Sequence, residues 1–144
     1  MRKSTFYILN LTWGIIMTAL GAAAALWLLT VHKLKPTRRG GCWRFTYGTG
    51  WGGVSLGLVT IVATDTGERT WNHELGHAVQ NAIYGPAQAV LSLASAARYH
   101  WRNYQSKHHP DRALPDYDAF WFEGQATAWG EQASKAWTTT DKRS

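Results

Sequence analysis

A long apolar stretch occupies the N-terminal part of the chain. Residues 5–31 contain no charged side chain, and residues 15–29 are apolar or small. A helix of this length extends about 40 Å, whereas the hydrocarbon core of a bilayer is about 30 Å thick. The alternatives are a cleaved signal peptide, which is usually shorter, and a core helix, which needs more surrounding protein. The pattern favours an uncleaved, single-pass transmembrane helix in the cell membrane, with residues 1–34 as the anchor.

Basic residues flank the apolar stretch unequally. They are Arg2 and Lys3 before it and Lys33, Lys35, Arg38 and Arg39 after it. Because the more positive flank of a span stays in the cytoplasm, this difference predicts that the C-terminal domain is cytoplasmic. Residues 35–41, which include Pro36 and two glycines, form a predicted basic linker.

Two segments after the linker have the composition of β-strands. Residues 42–47 and 54–62 are rich in β-branched and aromatic side chains, and the glycine-rich segment 48–53 separates them. This pattern predicts an antiparallel strand pair around a glycine-rich turn. A phosphate-binding loop is the alternative, but no Lys-Ser or Lys-Thr pair follows the glycines.

Helical periodicity dominates the rest of the chain. Helices are predicted over three segments, 67–83, 87–104 and 117–137. Gly85 and Pro86 provide a stop signal after the first helix. Residues 138–144 are predicted to be a flexible tail. We therefore expect an α+β fold, with one small domain over residues 42–137 behind the membrane anchor.

The first predicted helix carries the motif H-E-x-x-H between His73 and His77. Histidines four positions apart lie one turn apart on the same helix face, so both imidazoles can reach one metal ion. Glu74 lies about 100° further round the helix, beside the metal rather than on it. From there its carboxylate can take a proton from an attacking water molecule. Apolar residues lie on the opposite face, so the helix can pack on a core and present the motif to a cleft.

A catalytic zinc site needs a third protein ligand and one open position. Glu123, in the last predicted helix, is the favoured candidate because Ala126 and Gly130 lie on the same helix face. Such small residues allow two helix backbones to approach closely, which a short carboxylate needs to reach a metal held by another helix. The alternative ligands are His100, His108, His109, Asp116, Asp118 and Glu131.

Other polar residues are candidates for supporting roles. An oxyanion formed during hydrolysis needs a hydrogen-bond donor. The candidate donors are Tyr84, Arg98, Tyr99, His100 and Tyr117. A histidine ligand needs a partner for its second ring nitrogen. The candidate partners are Gln80, Asn81 and Asp118, and the sequence leaves the choice open in both sets.

Charge and composition narrow the class of protein. A net charge of +6 suits either nucleic acid or an anionic membrane surface. The basic residues cluster around the apolar stretch and no nucleic-acid-binding motif is present, so we expect the lipid bilayer as a partner and no nucleic acid. The single cysteine, Cys42, excludes an internal disulfide.

The H-E-x-x-H motif with a downstream glutamate in E-x-x-A resembles the gluzincin class of zinc metallopeptidases. Several sequence blocks between Tyr47 and Gly130 also resemble a family of small, uncharacterised bacterial membrane-associated proteins. These blocks are GWGGVSLG, HExGH with a following QN, GP, SAxRY, LPxYD and WFEGQAT. Members of that family usually have a proline where this chain has Ala94, so the local bend is expected to be softer here.

The resemblance implies a zincin-like domain over residues 42–137. It implies that His73, His77 and Glu123 bind Zn²⁺ and that Glu74 is the general base. Motif and resemblance together predict a membrane-anchored zinc-dependent metallopeptidase or other hydrolase that acts on a peptide or protein substrate. One alternative is a non-catalytic membrane protein that uses the metal site for structure or partner binding. Another is a nucleic-acid or lipid-head-group binder driven by net charge alone.

Overall fold

The computed structural model describes residues 1–141 and has the α+β architecture that the sequence predicts. The described part contains five α-helices and a four-stranded mixed sheet. In chain order the elements are α1 (Lys3–Leu11), α2 (Ile15–Thr30), β1 (Thr37–Arg39), β2 (Cys42–Thr46), β3 (Gly53–Leu56), β4 (Val59–Val62), α3 (Glu68–Tyr84), α4 (Ala87–His108) and α5 (Trp121–Asp141). A short 3-10 turn, Tyr117–Ala119, precedes α5.

The predicted antiparallel pairing of segments 42–47 and 54–62 is wrong. The strand order is β1-β2-β4-β3, in which β2 runs parallel to β4 and β3 pairs antiparallel with β4. Segment 54–62 is not one strand, because Gly57 adopts a φ of 63° and turns the chain between β3 and β4. Glycine reaches this conformation without steric cost. The glycine-rich connection before β3 therefore crosses the sheet, and β3 is an edge strand.

The predicted basic linker, residues 35–41, contributes a strand to the sheet. β1 lies within it and pairs antiparallel with β2. Gly40 and Gly41 form the turn between the two strands and have φ values of 57° and 84°. This left-handed backbone favours glycine, which explains the Gly-Gly pair at this point of the chain.

The apolar N-terminal stretch forms two helices instead of one. α1 and α2 meet at an angle of 87° across residues 12–14. None of the described helices is by itself long and apolar enough to cross a membrane, although α1 and α2 together have the length and composition of a span. The single-pass anchor therefore stays a prediction.

A buried polar network holds this bend against α3. Asn81 Nδ2 donates to Asn10 Oδ1 at 2.7 Å and to Gly14 O at 3.0 Å, and the two asparagines are almost completely buried. Thr18 Oγ1 donates to Asn10 O at 2.9 Å. Phe6 is also fully buried, in the apolar cluster around α3. Since buried polar groups need partners of this kind, the N-terminal helices belong to the same packed body as α3.

α3 and α5 pack with their backbones in close contact. A Cβ atom added to Gly76 would lie 2.5 Å from the carbonyl carbon of Ala126, and one added to Gly130 would lie 2.9 Å from Gly76 N. Only glycine leaves room for this approach. The small residues that the sequence places around Glu123 thus line a close helix–helix contact, and this contact brings the two halves of the site together.

The three predicted helices in the C-terminal part are present with small differences at their ends. α3 matches segment 67–83 within one residue, and α4 extends a further turn beyond residue 104. α5 starts later than residue 117 because the 3-10 turn precedes it. It continues into the predicted flexible tail, 138–144, of which residues 142–144 lie outside the described part of the chain.

Candidate metal centre

α3 and α5 bring three potential metal ligands to one point. His73 and His77 lie on successive turns of α3, and Glu123 lies in the first turn of α5. His73 Nε2 lies 3.0 Å from Glu123 Oε2 and 3.1 Å from His77 Nε2. The third side of the triangle, from His77 Nε2 to Glu123 Oε2, is 3.4 Å. This group could hold a metal ion.

The distances within this triangle match those of a tetrahedral metal site. Zinc binds histidine nitrogen and carboxylate oxygen at about 2.0–2.2 Å, so two ligand atoms on a tetrahedral ion lie roughly 3.4 Å apart. The observed separations run from 3.0 to 3.4 Å. Three protein ligands leave one coordination position for water or substrate, which is the pattern of catalytic sites. Two imidazoles and a carboxylate suit zinc and also other first-row transition metals.

The hydrogen bonds of Gln80 orient His77. Gln80 Nε2 donates to Phe122 O at 2.8 Å and to Gln125 Oε1 at 3.0 Å. Because these bonds fix the amide orientation, Gln80 Oε1 must accept the hydrogen bond from His77 Nδ1, which lies 2.8 Å away. The lone pair of neutral His77 is therefore on Nε2, the atom that faces the other two ligands.

Thr127 orients His73 in the same way. His73 Nδ1 lies 2.9 Å from Thr127 Oγ1, and the Thr127 hydroxyl points to Asp118 Oδ1 at 3.5 Å. The hydroxyl can therefore accept from the imidazole and donate to the carboxylate at once. Asp118 also contacts Arg69 at the surface. Partners of this kind on the outer nitrogen of a histidine ligand fix its tautomer and ring orientation.

Glu123 is almost completely buried, and both of its oxygens are engaged. Ser95 Oγ donates to Glu123 Oε1, which leaves Oε2 to face the two histidines. Burial on its own raises the pKa of the Glu123 carboxyl. Hydrogen bonds from His73 and His77 outweigh that effect and hold its pKa well below the usual range. Burial also disfavours charged His77, but its contacts with Glu123 and Glu74 raise the His77 pKa. The site thus strongly favours a positive charge beside the carboxylate, a role that a metal ion fills.

Glu74 lies next to the ligand group and is 5% exposed. Burial raises the pKa of this carboxyl, while the charges of His77 and His73 oppose the shift. Its Oε2 atom is buried and has no hydrogen-bond partner among the described residues. The edge strand packs against it: a Cβ atom added to Gly53 would lie 2.9 Å from Glu74 Oε1. Glu74 also lines the cavity in front of the ligands, and a buried carboxylate in this position suits a general base.

A cavity of about 450 Å³ lies in front of the ligands. The lining includes all three of them, together with Glu74 and Tyr117. Burial raises the pKa of Tyr117 to about 12, so its hydroxyl stays protonated at neutral pH. Arg98 Nη1 donates to Tyr117 O at 3.1 Å and so holds the turn that carries this side chain. Of the five candidate oxyanion donors, Tyr117 is the one that lines this cavity.

The other candidate donors lie elsewhere or act indirectly. Tyr84 donates to Gln125 Oε1 at 2.7 Å, on the far side of the histidines. The Tyr99 ring packs against Tyr117 and also against His100, with ring centroids 6.4 Å and 5.6 Å apart. Tyr99 borders an adjoining pocket, which His73, Glu74 and Tyr117 also line, but it does not line the main cavity.

None of the six alternative ligands joins the metal group. Within residues 1–141, His73, His77 and Glu123 form the group of His, Cys, Asp and Glu side chains close enough to share an ion. Asp118 supports Thr127 instead of binding a metal. Asn81, a candidate partner for a histidine, instead binds Asn10 at the N-terminal bend. Gln80 and Asp118 do support the histidines, directly and through Thr127.

Two residues of the site were missed by sequence reasoning. Ser95 reaches Glu123 from α4, and Thr127 reaches His73 from α5. Thr127 lies one turn after Glu123 on the same helix face, so its spacing could have indicated it. Ser95 belongs to the SAxRY block, but no helix periodicity connects it to α5.

Comparison with family models, curated proteins and solved structures finds no match to this chain. The assignment of a function therefore depends on the chemistry of the site.

Proposed function

We propose that this protein is a membrane-associated, zinc-dependent metallopeptidase of gluzincin type. His73, His77 and Glu123 bind the zinc ion, and Glu74 is the general base. The observation that carries the proposal is the convergence of three ligand atoms within 3.4 Å of one another, while hydrogen bonds engage the outer nitrogen of each histidine. A structural metal site would not need the buried, unpartnered carboxylate beside it.

A zinc ion held by His73, His77 and Glu123 would supply Lewis acidity, which would polarise a substrate carbonyl and lower the pKa of water at the open position. The residues of the chain supply the proton transfers. Glu74 receives the proton of the attacking water and passes it to the leaving amine, and burial raises its pKa, which makes its carboxylate a stronger base. Tyr117 keeps its phenolic proton and donates a hydrogen bond to the developing oxyanion.

The position of β3 favours a peptide as the substrate. β3 is an edge strand, and residues 53–56 line the cavity beside Glu74. In an edge strand, alternate backbone N–H and C=O groups point away from the neighbouring strand and can pair with an extended peptide. The same groups would hold the scissile carbonyl in front of the general base.

Apolar side chains exposed on the N-terminal helices support the membrane association. They include Ile8, Leu11, Trp13, Ile16, Leu26, Trp27 and Val31. The basic residues that follow α2, Lys33 and Lys35, suit the anionic head groups of a cytoplasmic leaflet. In this arrangement the site faces the cytoplasm, and its substrate is cytoplasmic or lies next to the membrane.

Metal content of purified variants tests the ligand assignment. The full chain is purified in detergent, and bound metals are measured by mass spectrometry. Wild type and Glu74→Gln should carry about one zinc ion per chain, whereas His77→Ala and Glu123→Ala should lose it. Glu131→Ala, on the exposed face of α5, is the matched control and should keep the metal. Full zinc occupancy in Glu123→Ala would overturn the assignment.

Peptide cleavage tests the role of Glu74. A peptide library is incubated with zinc-loaded protein, and products are read by mass spectrometry. We expect cleavage by wild type and by Glu131→Gln, and a loss of at least about a hundredfold in Glu74→Gln, since general-base catalysis contributes roughly 10²–10⁴-fold. Equal rates in both variants would reject Glu74 as the base. Full zinc occupancy without cleavage by wild type would instead support the non-catalytic role of the metal site.

A further inference from the structure

The cavity beside the ligand group is formed by two helices outside the H-E-x-x-H core. α2 contributes Met17 and Leu20, and α4 contributes Leu93 and Ala96. The residues of each pair are three positions apart, so they lie on one helix face. Ser92 and Ser95 also line the cavity from α4, but these two pairs make both walls largely apolar.

The mouth of the cavity is apolar as well. Leu20 and Leu93 line the cavity and yet are 54% and 72% exposed, so they stand at its rim. Val54 of β3, which is 38% exposed, completes the rim on the side of the sheet. Large exposed apolar side chains around a concave site mark a surface that binds an apolar partner.

Ionisable groups are few in the cavity. Among the described lining residues, the ionisable side chains are those of the metal group, Glu74 and Tyr117. β3 is the edge strand of the sheet, and residues 53–56 line this cavity. Alternate backbone N–H and C=O groups of an edge strand point away from its neighbour and can pair with a peptide. The cavity thus combines largely apolar walls with hydrogen-bonding capacity along the backbone of β3.

From this combination we infer the substrate class: the site takes an extended apolar peptide segment, whose large aliphatic side chain packs between α2 and α4. The peptide backbone lies along β3, and its carbonyl reaches the ligand group. This inference rests on the proposed function, because it assumes that the ligand group holds a metal ion. It adds that α2 is a wall of the substrate site as well as a membrane-facing helix.

The edge strand distinguishes a peptide from a lipid acyl chain. An acyl chain would use the apolar walls but would leave the edge of β3 unpaired. A peptide uses both, since its amides pair with an edge strand while alternate side chains enter pockets. The two ligands therefore differ in how much affinity their amide groups contribute.

Three metal-binding probes test the inference by calorimetry on the zinc-loaded full chain in detergent. The first is a leucine hydroxamate that carries an acetyl-alanyl group, and the second is its serine counterpart. The third is 4-methylpentanohydroxamate, which keeps the isobutyl group but lacks the amides. We expect the leucine probe to bind at least about tenfold more tightly than the serine probe, because each methylene withdrawn from water contributes roughly fourfold. We expect the probe without amides to bind severalfold more weakly than the leucine probe.

Variants at the rim locate the binding site of the leucine side chain. Leu20→Ser and Leu93→Ser should each weaken the leucine probe by about fourfold or more and leave the serine probe unchanged. Leu26→Ser on α2 and Val90→Ser on α4 are matched controls, since both residues are exposed and lie outside the cavity lining. The controls should bind the leucine probe as wild type does.

Each outcome supports or overturns the inference. Equal affinity for the leucine and serine probes, on a protein that carries zinc, would overturn it and leave the metallopeptidase proposal intact. Affinity that stays equal or rises when the amides are removed would reject the peptide in favour of an acyl chain. Absence of bound zinc in the wild type would overturn both proposals together.

Discussion

The close contact between α3 and α5 makes Gly76→Ala an informative substitution. The added methyl carbon would lie 2.5 Å from the carbonyl carbon and 2.8 Å from the Cα atom of Ala126. Two carbon atoms in ordinary contact are about 3.5–4.0 Å apart, so the helices must separate by roughly 1 Å. The obstacle is backbone, which a change of rotamer cannot move. The separation therefore acts on the whole first half of α5.

The displacement has two consequences of different size. Overpacking of this kind usually costs about 1–3 kcal/mol of unfolding free energy. The metal site is more sensitive, because Glu123 lies one turn before Ala126 and ligand distances tolerate only about 0.2 Å. A shift of roughly 1 Å moves Glu123 Oε2 away from the two histidines, so we expect zinc affinity to fall by about tenfold or more.

Two measurements on one pair of variants test this reasoning. Denaturant unfolding of the metal-free chain gives the stability, and competition with a chromophoric chelator gives the zinc affinity. Gly67→Ala is the matched control, since its Cβ atom meets nothing within 4 Å, and it should change stability by no more than about 1 kcal/mol. A Gly76→Ala protein that binds zinc as tightly as the control would refute the link between helix spacing and the ligand set.

Three further substitutions test other parts of the structure. Thr127→Val removes the partner of His73 Nδ1 while keeping the side-chain shape, so zinc affinity should fall roughly 10–100-fold in a chelator competition. Asn10→Ala leaves one of the two Asn81 N–H groups without its acceptor, since only Gly14 O remains, and should cost about 1–3 kcal/mol in denaturant unfolding; an unchanged midpoint would contradict the packed N-terminal bend. Burial raises the pKa of Cys42 to about 12, so its neutral thiol contributes stability below the unfolded value of 9.0. That contribution is lost as the pH rises toward 12. The unfolding free energy of Cys42→Ala should therefore fall less steeply with pH over this range than that of the wild type. Equal slopes of unfolding free energy against pH in the two proteins would contradict this prediction.

The grouping of His73, His77 and Glu123 was largely predictable because most of the information that specifies it is local in the sequence. His73 and His77 need only helical spacing to share a face, and that spacing is visible in the sequence. Glu123 was identified from the small residues around it. These residues indicate a close helix–helix contact but not which helix is the partner. The structure supplies the partner, since Gly76 lies opposite Ala126. The contribution of Ser95 depends on how α4 packs on α5, which no single-helix pattern contains.

Elements that depend on distant partners were harder to predict. The parallel pairing of β2 with β4 follows from one turn at Gly57, and a run of β-branched residues does not reveal where it folds back. Asn81 has the right spacing to support His77, but its partner is Asn10, 71 positions away. The N-terminal stretch was ambiguous for a similar reason. Its apolar composition alone does not distinguish a helix surrounded by lipid from a helix packed in a protein core.

The contact between Phe6 and Trp137 joins α1 to the C-terminal part of α5. Their ring centroids lie 4.9 Å apart, so α1 and the C-terminal part of α5 complete the same apolar cluster around α3. A nascent chain that already contains α1 and α3 still exposes the face of α3 that α5 covers. Contacts between distant chain segments form late and slow the folding reaction. The apolar cluster around α3 is therefore complete only once Trp137 has been synthesised, 14 positions after Glu123.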